Sequence, residues 1–144
     1  MFPDPVGSFP LNERLSYAHL LVHLAAADGT LVREEVQAIE GYMGKYLIPP
    51  EQREEIRSGF DNPKPLGDLL TNLSHDLLHF VLRDAIVVAS IDGEYDQSEI
   101  DCIRAISDKI GLSDEGLSKV FDWVKSGWKW NSEYKNLITK NDPK

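Results

Sequence analysis

Leu24-Ala25-Ala26-Ala27-Asp28-Gly29-Thr30-Leu31 and Val88-Ala89-Ser90-Ile91-Asp92-Gly93-Glu94-Tyr95 are two copies of one pattern, set 64 residues apart in the chain. The same shift lays Glu35 on Glu99, Val36 on Ile100, Ile39 on Ile103, Lys45 on Lys109 and Glu51 on Glu115, without a gap. An Asp-Gly pair recurs easily by chance. An Asp-Gly pair with a small-residue helix before it, and the same Glu and apolar stripe after it, marks an internal repeat. Each copy reads as a helix, a glycine stop and a second helix, because glycine enters the left-handed conformation that closes a helix at little cost.

Working outward, apolar residues recur at three- and four-residue steps from Asn12 to Ala27, around most of the circumference, so this helix is expected to be buried on several sides. A second helix is predicted over 33–46 with Val36, Ile39, Met43 and Tyr46 as its stripe, and a third over 51–60 behind Pro49-Pro50. The second half repeats the plan: a short helix near 66–73, a long one over 75–90, and another over 97–110. Ser113 is suited to cap a helix running from Asp114 to about Lys125. No stretch alternates with period two for more than a few residues. The expected fold is therefore all-α, a compact single-domain bundle of about seven helices with an internal duplication. Residues 1–10, with three prolines, read as a lead-in arm; residues 11–138 form the domain, and 139–144 a frayed end.

The 144 residues carry a formal net charge of -9. That balance argues against a nucleic-acid partner, since backbone binding rests on Lys and Arg, and favours a cation or a basic protein face. Cys102 is alone, which excludes an internal disulfide or a thiolate zinc cluster. Nothing resembles a signal peptide, and no apolar run approaches the ~20 residues of a membrane span. A cytoplasmic protein with no membrane insertion is expected.

The spacing Asp-Gly-x-apolar-x-x-x-Glu matches the second half of an EF-hand loop. The early ligands are missing: Leu24 and Ala26, or Val88 and Ser90, occupy their places. Two readings of the remaining acids stay open. In one they are helix caps, with Asp96 and Glu99 forming a capping box; Val32 stands at the equivalent cap position of the first copy. In the other, Asp28, Glu35, Asp92 and Glu99 converge about a pseudo-two-fold as oxygen ligands for a divalent cation, calcium or magnesium.

The pattern Ala-Ala-Asp-Gly-x-apolar-x-x-x-Glu, followed by an Ile-striped helix and repeated further on, resembles the TerB-like tellurite-resistance family over about residues 12 to 125. That family includes tellurite-resistance B proteins and a domain attached to a membrane-anchored DnaJ-type co-chaperone. The resemblance implies an all-helical fold, an association with tellurite resistance and stress response, and a divalent-cation site that carries onto Asp28, Glu35, Asp92 and Glu99. It points to a non-enzymatic binding or adaptor domain with a protein partner.

The four histidines form two i, i+4 pairs, His19 with His23 and His75 with His79, a spacing that puts both rings on one helix face. They offer an alternative transition-metal site of zinc type, against the plainer reading of polar positions at helix edges. His23, among Leu21, Val22 and Leu24, is the one expected to be buried and paired. Trp123, Trp128, Trp130 and Tyr134 are expected to clamp the terminal helix onto the core; the other reading is a contact surface, in a homodimer or a ligand-free scaffold. No phosphate loop, nucleophile elbow or dinucleotide fingerprint is present, so neither an organic cofactor nor an enzymatic activity is expected.

Overall fold

A computed structural model of the chain describes residues 5–91 and 93–140, the last without its side chain. Among them are a 3-10 turn, Pro5–Ser8, and seven α-helices: α1 Leu11–Ala26, α2 Arg33–Lys45, α3 Pro50–Ser58, α4 Leu66–Thr71, α5 His75–Ala89, α6 Gln97–Lys109 and α7 Asp114–Lys140. The described residues hold no strand. The chain divides into two units at Gly111, the first carrying α1 to α6 and the second α7.

In the first unit α1 is the central element, packed by α2, α3, α4, α5 and α6. Its sequence explains that role. Tyr17, Ala18, Leu20, Leu21, Val22, Leu24 and Ala25 are all buried, leaving no broad polar face for water. The remaining helices bury single stripes, such as Ile39 and Met43 on α2 and Cys102, Ile103 and Ile106 on α6. The expected lead-in arm is partly structured, with Val6 fully buried in the 3-10 turn.

Both Asp-Gly turns close as the glycines require. Gly29 has φ +79° and Gly93 φ +82°, a region L side chains enter only at a cost. In each, the glycine N–H donates 3.0 Å to the carbonyl three residues back, Ala26 in one and Ser90 in the other.

The C-terminus of α2 is held differently. Leu47 takes φ 59° without being glycine, and the Arg14 guanidinium donates 2.9 Å bonds to the carbonyls of Tyr46 and Leu47. A cation at these orphan carbonyls also suits the negative end of the helix dipole.

In the second unit, α7 runs fifteen residues past the expected end at Lys125. A single interior glycine such as Gly127 costs only about 1 kcal/mol, too little to break a helix with good formers on either side. Ser113 caps α7 as expected, its Oγ accepting from the Gly116 N–H at 3.0 Å.

Candidate functional site at the acidic turns

Each turn feeds a helix whose third residue is a glutamate, and both glutamates are buried: Glu35 is 3% exposed and Glu99 5%. On α6 the reason is local. Asp96 accepts from the Glu99 N–H at 2.9 Å, and Glu99 Oε1 reaches back to the Asp96 N–H at 3.4 Å, completing the expected capping box. On α2 Val32 occupies the cap position and no side chain caps the helix, so capping does not account for the burial of Glu35.

The two glutamates lie close enough to interact. Burial, a side-chain hydrogen bond with Asp96 and the neighbouring charge of Glu35 together push the Glu99 carboxyl up to about 8. Glu99 is therefore largely protonated at neutral pH. Its second oxygen, Oε2, is sealed from solvent and has no hydrogen-bond partner among the described residues.

Asp96 responds in the opposite sense. Burial works to raise it, but the Glu99 backbone N–H, the Glu99 side chain and the Asp28 carboxyl outweigh that and hold it below its ordinary value. Asp28 is exposed, and its Oδ1 accepts from the Thr30 N–H at 2.9 Å, a side-chain turn that braces the loop.

Of the four expected acidic ligands, the structure thus draws Glu35 and Glu99 together and leaves Asp28 exposed at their edge. Asp92 lies outside the described residues. Asp96, read in the sequence only as a cap, belongs to the same cluster. Among the described residues no three His, Cys, Asp or Glu side chains form a group able to hold a metal ion.

That holds for the histidines too. His75 and His79 are exposed at the start of α5, their rings 4.7 Å apart, with His79 Nδ1 2.9 Å from the His75 carbonyl. His23 Nδ1 lies 2.9 Å from the Lys64 carbonyl and the residue is only half-buried. The buried member of that pair is His19, which packs beside Gly59 at the end of α3, whereas His23, one turn further on, meets the Lys64 carbonyl of the segment before α4. Cys102 is buried, and desolvation followed by the charge of Glu99 pushes its thiol up to about 12, which leaves no thiolate for chemistry.

The aromatic residues of α7 also depart from expectation. Trp123, Trp128, Trp130 and Tyr134 are all exposed. In a continuous helix Trp123, Trp130, Tyr134 and Leu137 fall on one stripe, at steps of seven, four and three.

A further polar cluster escaped the sequence reading. Asp84 of α5 is 3% exposed, yet it accepts from the Tyr17 hydroxyl of α1, from Tyr46 Oη at 3.2 Å and from Arg83 at 2.8 and 3.0 Å; Tyr42 Oη stands 3.5 Å away. Burial and then the Asp84 charge drive the Tyr17 phenol well above its ordinary range. A buried carboxylate persists when so many donors meet it. The available signal was Asp84 itself, an acid on the apolar face of α5 at a position where the repeat register places Leu20.

With this geometry in place, comparison with known proteins is informative. The chain is similar to part of a co-chaperone. Co-chaperone protein DjlA of Aliivibrio fischeri is 33% identical over 107 residues, covering 67% of this chain and 38% of that protein. The proteins of the same name from Vibrio vulnificus and Vibrio parahaemolyticus are 28% and 27% identical over 121 residues, covering 77% of this chain and 42% and 43% of theirs. The chain thus spans about two fifths of the length of the curated relatives it matches. No protein-family model matches the chain, and no solved structure matches it. These relatives support the DnaJ-type side of the resemblance; they are named for co-chaperone function, not for tellurite resistance. No helix among the described residues is long and apolar enough to cross a membrane.

Proposed function

We propose that this chain is a non-enzymatic protein-interaction domain of the co-chaperone type, which docks a chaperone or its client. The observation that carries this reading is the similarity of two thirds or more of the chain to one segment of several co-chaperones.

A chimera tests it. The matching segment of the Aliivibrio fischeri co-chaperone is replaced by this chain, in an assay where deleting that segment abolishes activity. Recovery of activity is expected. A chimera no better than the deletion would sink the reading.

A second reading concerns regulation of the same domain: a hard divalent cation, calcium or magnesium, replaces the proton at the Glu35–Glu99 pair and draws in Asp28 and Asp92 as further oxygen donors, the described acids not forming a metal-holding group of three without it. It draws on the sealed Oε2 of Glu99, without a bond to any described residue, in a carboxyl that feels the charge of Glu35. Because cation and proton compete, binding should tighten as pH rises toward 9. With ligand at a hundredfold excess over Kd, the gain in stability should be about 2–3 kcal/mol. A thermal-shift series with calcium and magnesium at neutral and alkaline pH decides: no shift in either, or an undiminished shift in Glu99→Gln, rules the cation out.

A further inference from the structure

Away from the acidic turns, a recess of about 240 Å3 opens between α1, α3, the segment after α3, and α4. At ~30 Å3 per water it has room for several waters, or for one long side chain. Asn12, Leu15, Ser16 and His19 line it from α1 at steps of three, one and three, which is one helix face.

His19 is 5% exposed, and its Nδ1 is sealed without a hydrogen-bond partner. The ring packs beside Gly59, where a Cβ would meet the Ile56 carbonyl oxygen at 3.0 Å and Val22 Cγ1 at 3.2 Å, with His19 Nδ1 at an ordinary contact distance of 3.6 Å. Burial, with the charge of Lys64 added, pushes the imidazole below its ordinary value. His19 is therefore neutral at physiological pH.

The remaining wall is acidic and amphipathic. Lys64 Nζ lies 3.4 Å from Glu55 Oε1, so those two charges offset each other. Asp68 makes no ion pair among the described residues and is exposed at the rim. Leu15 and Leu69 supply apolar surface between Asp68 and His19, while Asn12 and Asn72 offer amide carbonyls. One carboxylate, two amide carbonyls as acceptors and an apolar floor match a cation on an aliphatic stem, whose methylenes cover apolar surface while its head meets charge. The net charge of -9 draws such a group toward the protein.

We propose that this recess binds a single guanidinium or primary ammonium group on an aliphatic chain, with Asp68 as its counter-charge and Leu15 and Leu69 against its stem. The group comes either from an Arg or Lys of a docked protein or from a free small cation. The assignment is independent of the co-chaperone reading, since it rests on the recess alone.

The test is an amide-resolved NMR titration of the full chain, at slightly alkaline pH, with three probes blocked at the α-amine: Nα-acetyl-L-argininamide, its uncharged isostere Nα-acetyl-L-citrullinamide, and the peptide acetyl-Gly-Gly-Arg-Gly-Gly-amide, the first two called argininamide and citrullinamide below. Saturable shifts are expected for argininamide at residues 12–19 and 68–72. Citrullinamide should bind about tenfold more weakly or not at all, and Asp68→Asn should weaken argininamide by a similar factor of about ten. Asp68 is exposed, so this variant keeps its Tm. Lowering the pH through the titration of His19 should loosen argininamide further, because imidazolium, Lys64 and the ligand then repel one another against Glu55 and Asp68 alone. A pentapeptide that binds at least as well as argininamide assigns the site to a partner's side chain; one that fails where argininamide succeeds assigns it to a free cation. Shifts that are absent, that do not distinguish argininamide from citrullinamide, or that survive Asp68→Asn overturn the proposal.

Discussion

The first hairpin, α1 with α2, and the second, α5 with α6, share a turn and differ in how the following helix begins. After Gly93, Asp96 and Glu99 cap α6 reciprocally. After Gly29, α2 starts behind Val32 with no side-chain cap, yet buries Glu35 at the same third position. If capping were the whole explanation, the first hairpin would have no reason to bury an acid. The difference separates two roles that coincide in Glu99: its Oε1 serves the cap, and its Oε2 is sealed without a bond to any described residue, in a carboxyl that feels the charge of Glu35. The hairpins are tied together elsewhere, by Asp84 of α5 and the tyrosines of α1 and α2.

The largest effect should come from breaking that tie. Asp84→Ala removes the carboxylate shared by two buried hydroxyls and a guanidinium, and is expected to cost about 3–5 kcal/mol by urea unfolding. Tyr17→Phe, which removes one charge-assisted donor, should cost about 1.5–3 kcal/mol. Equal stability of Asp84→Ala and the parent would show that the hairpins are joined by apolar packing alone.

The acid pair should appear next, as a pH dependence. The Glu99 carboxyl is pushed up to about 8 in the folded state, against an ordinary glutamate value of 4.5. The folded state therefore holds the proton more tightly. The resulting stability is fully present below pH 4.5 and is lost as pH rises through about 8. Glu99→Gln should flatten this slope and outlast the parent at alkaline pH. Glu35→Gln should shift the loss of stability toward lower pH, the sign expected when a neighbouring negative charge is removed. Asp96, held below its ordinary value, acts in the other direction at more acidic pH, losing its contribution as pH falls. The two windows separate in a stability profile from acid to alkali.

Smaller effects address the turns themselves. Asp96→Ala should cost about 0.5–2 kcal/mol, whereas Val32→Ser should gain up to about 1 kcal/mol by giving the first hairpin the cap it lacks. Gly29→Ala and Gly93→Ala should each cost about 1 kcal/mol and nearly the same amount, since the two φ angles differ by only a few degrees. Clearly unequal costs would mean that one turn carries strain the other does not.

Most of the helical framework was legible because it is written locally. Six helices begin and end within about two residues of the positions that periodicity, prolines and Asp-Gly pairs predict, and the capping box was readable as four consecutive residues. The end of α7 was not, because a lone Gly127 among helix formers is a signal the chain overrides. At the candidate site, the burial of Glu35 and Glu99 was foreshadowed by their repetition. The role of Asp96 beside them was hidden behind its simpler work as a cap. His23 was expected to be the buried imidazole, but His19 is, since neighbouring apolar residues do not reveal which face of α1 meets α3.

The amino-acid sequence by itself determined that the chain is helical, where its turns fall, and that two acids would recur at the starts of α2 and α6. Those features depend on residues within a turn or two of one another. Only the tertiary structure decided that Glu35 and Glu99 come close enough to interact, that Asp84 draws Tyr17 and Tyr46 across two hairpins, and that His19 packs beside Gly59 at the edge of a recess. The physical reason is common to all three. A titratable group takes its charge and its partners from whatever packing brings within a few ångströms, and these neighbours lie tens of residues away along the chain.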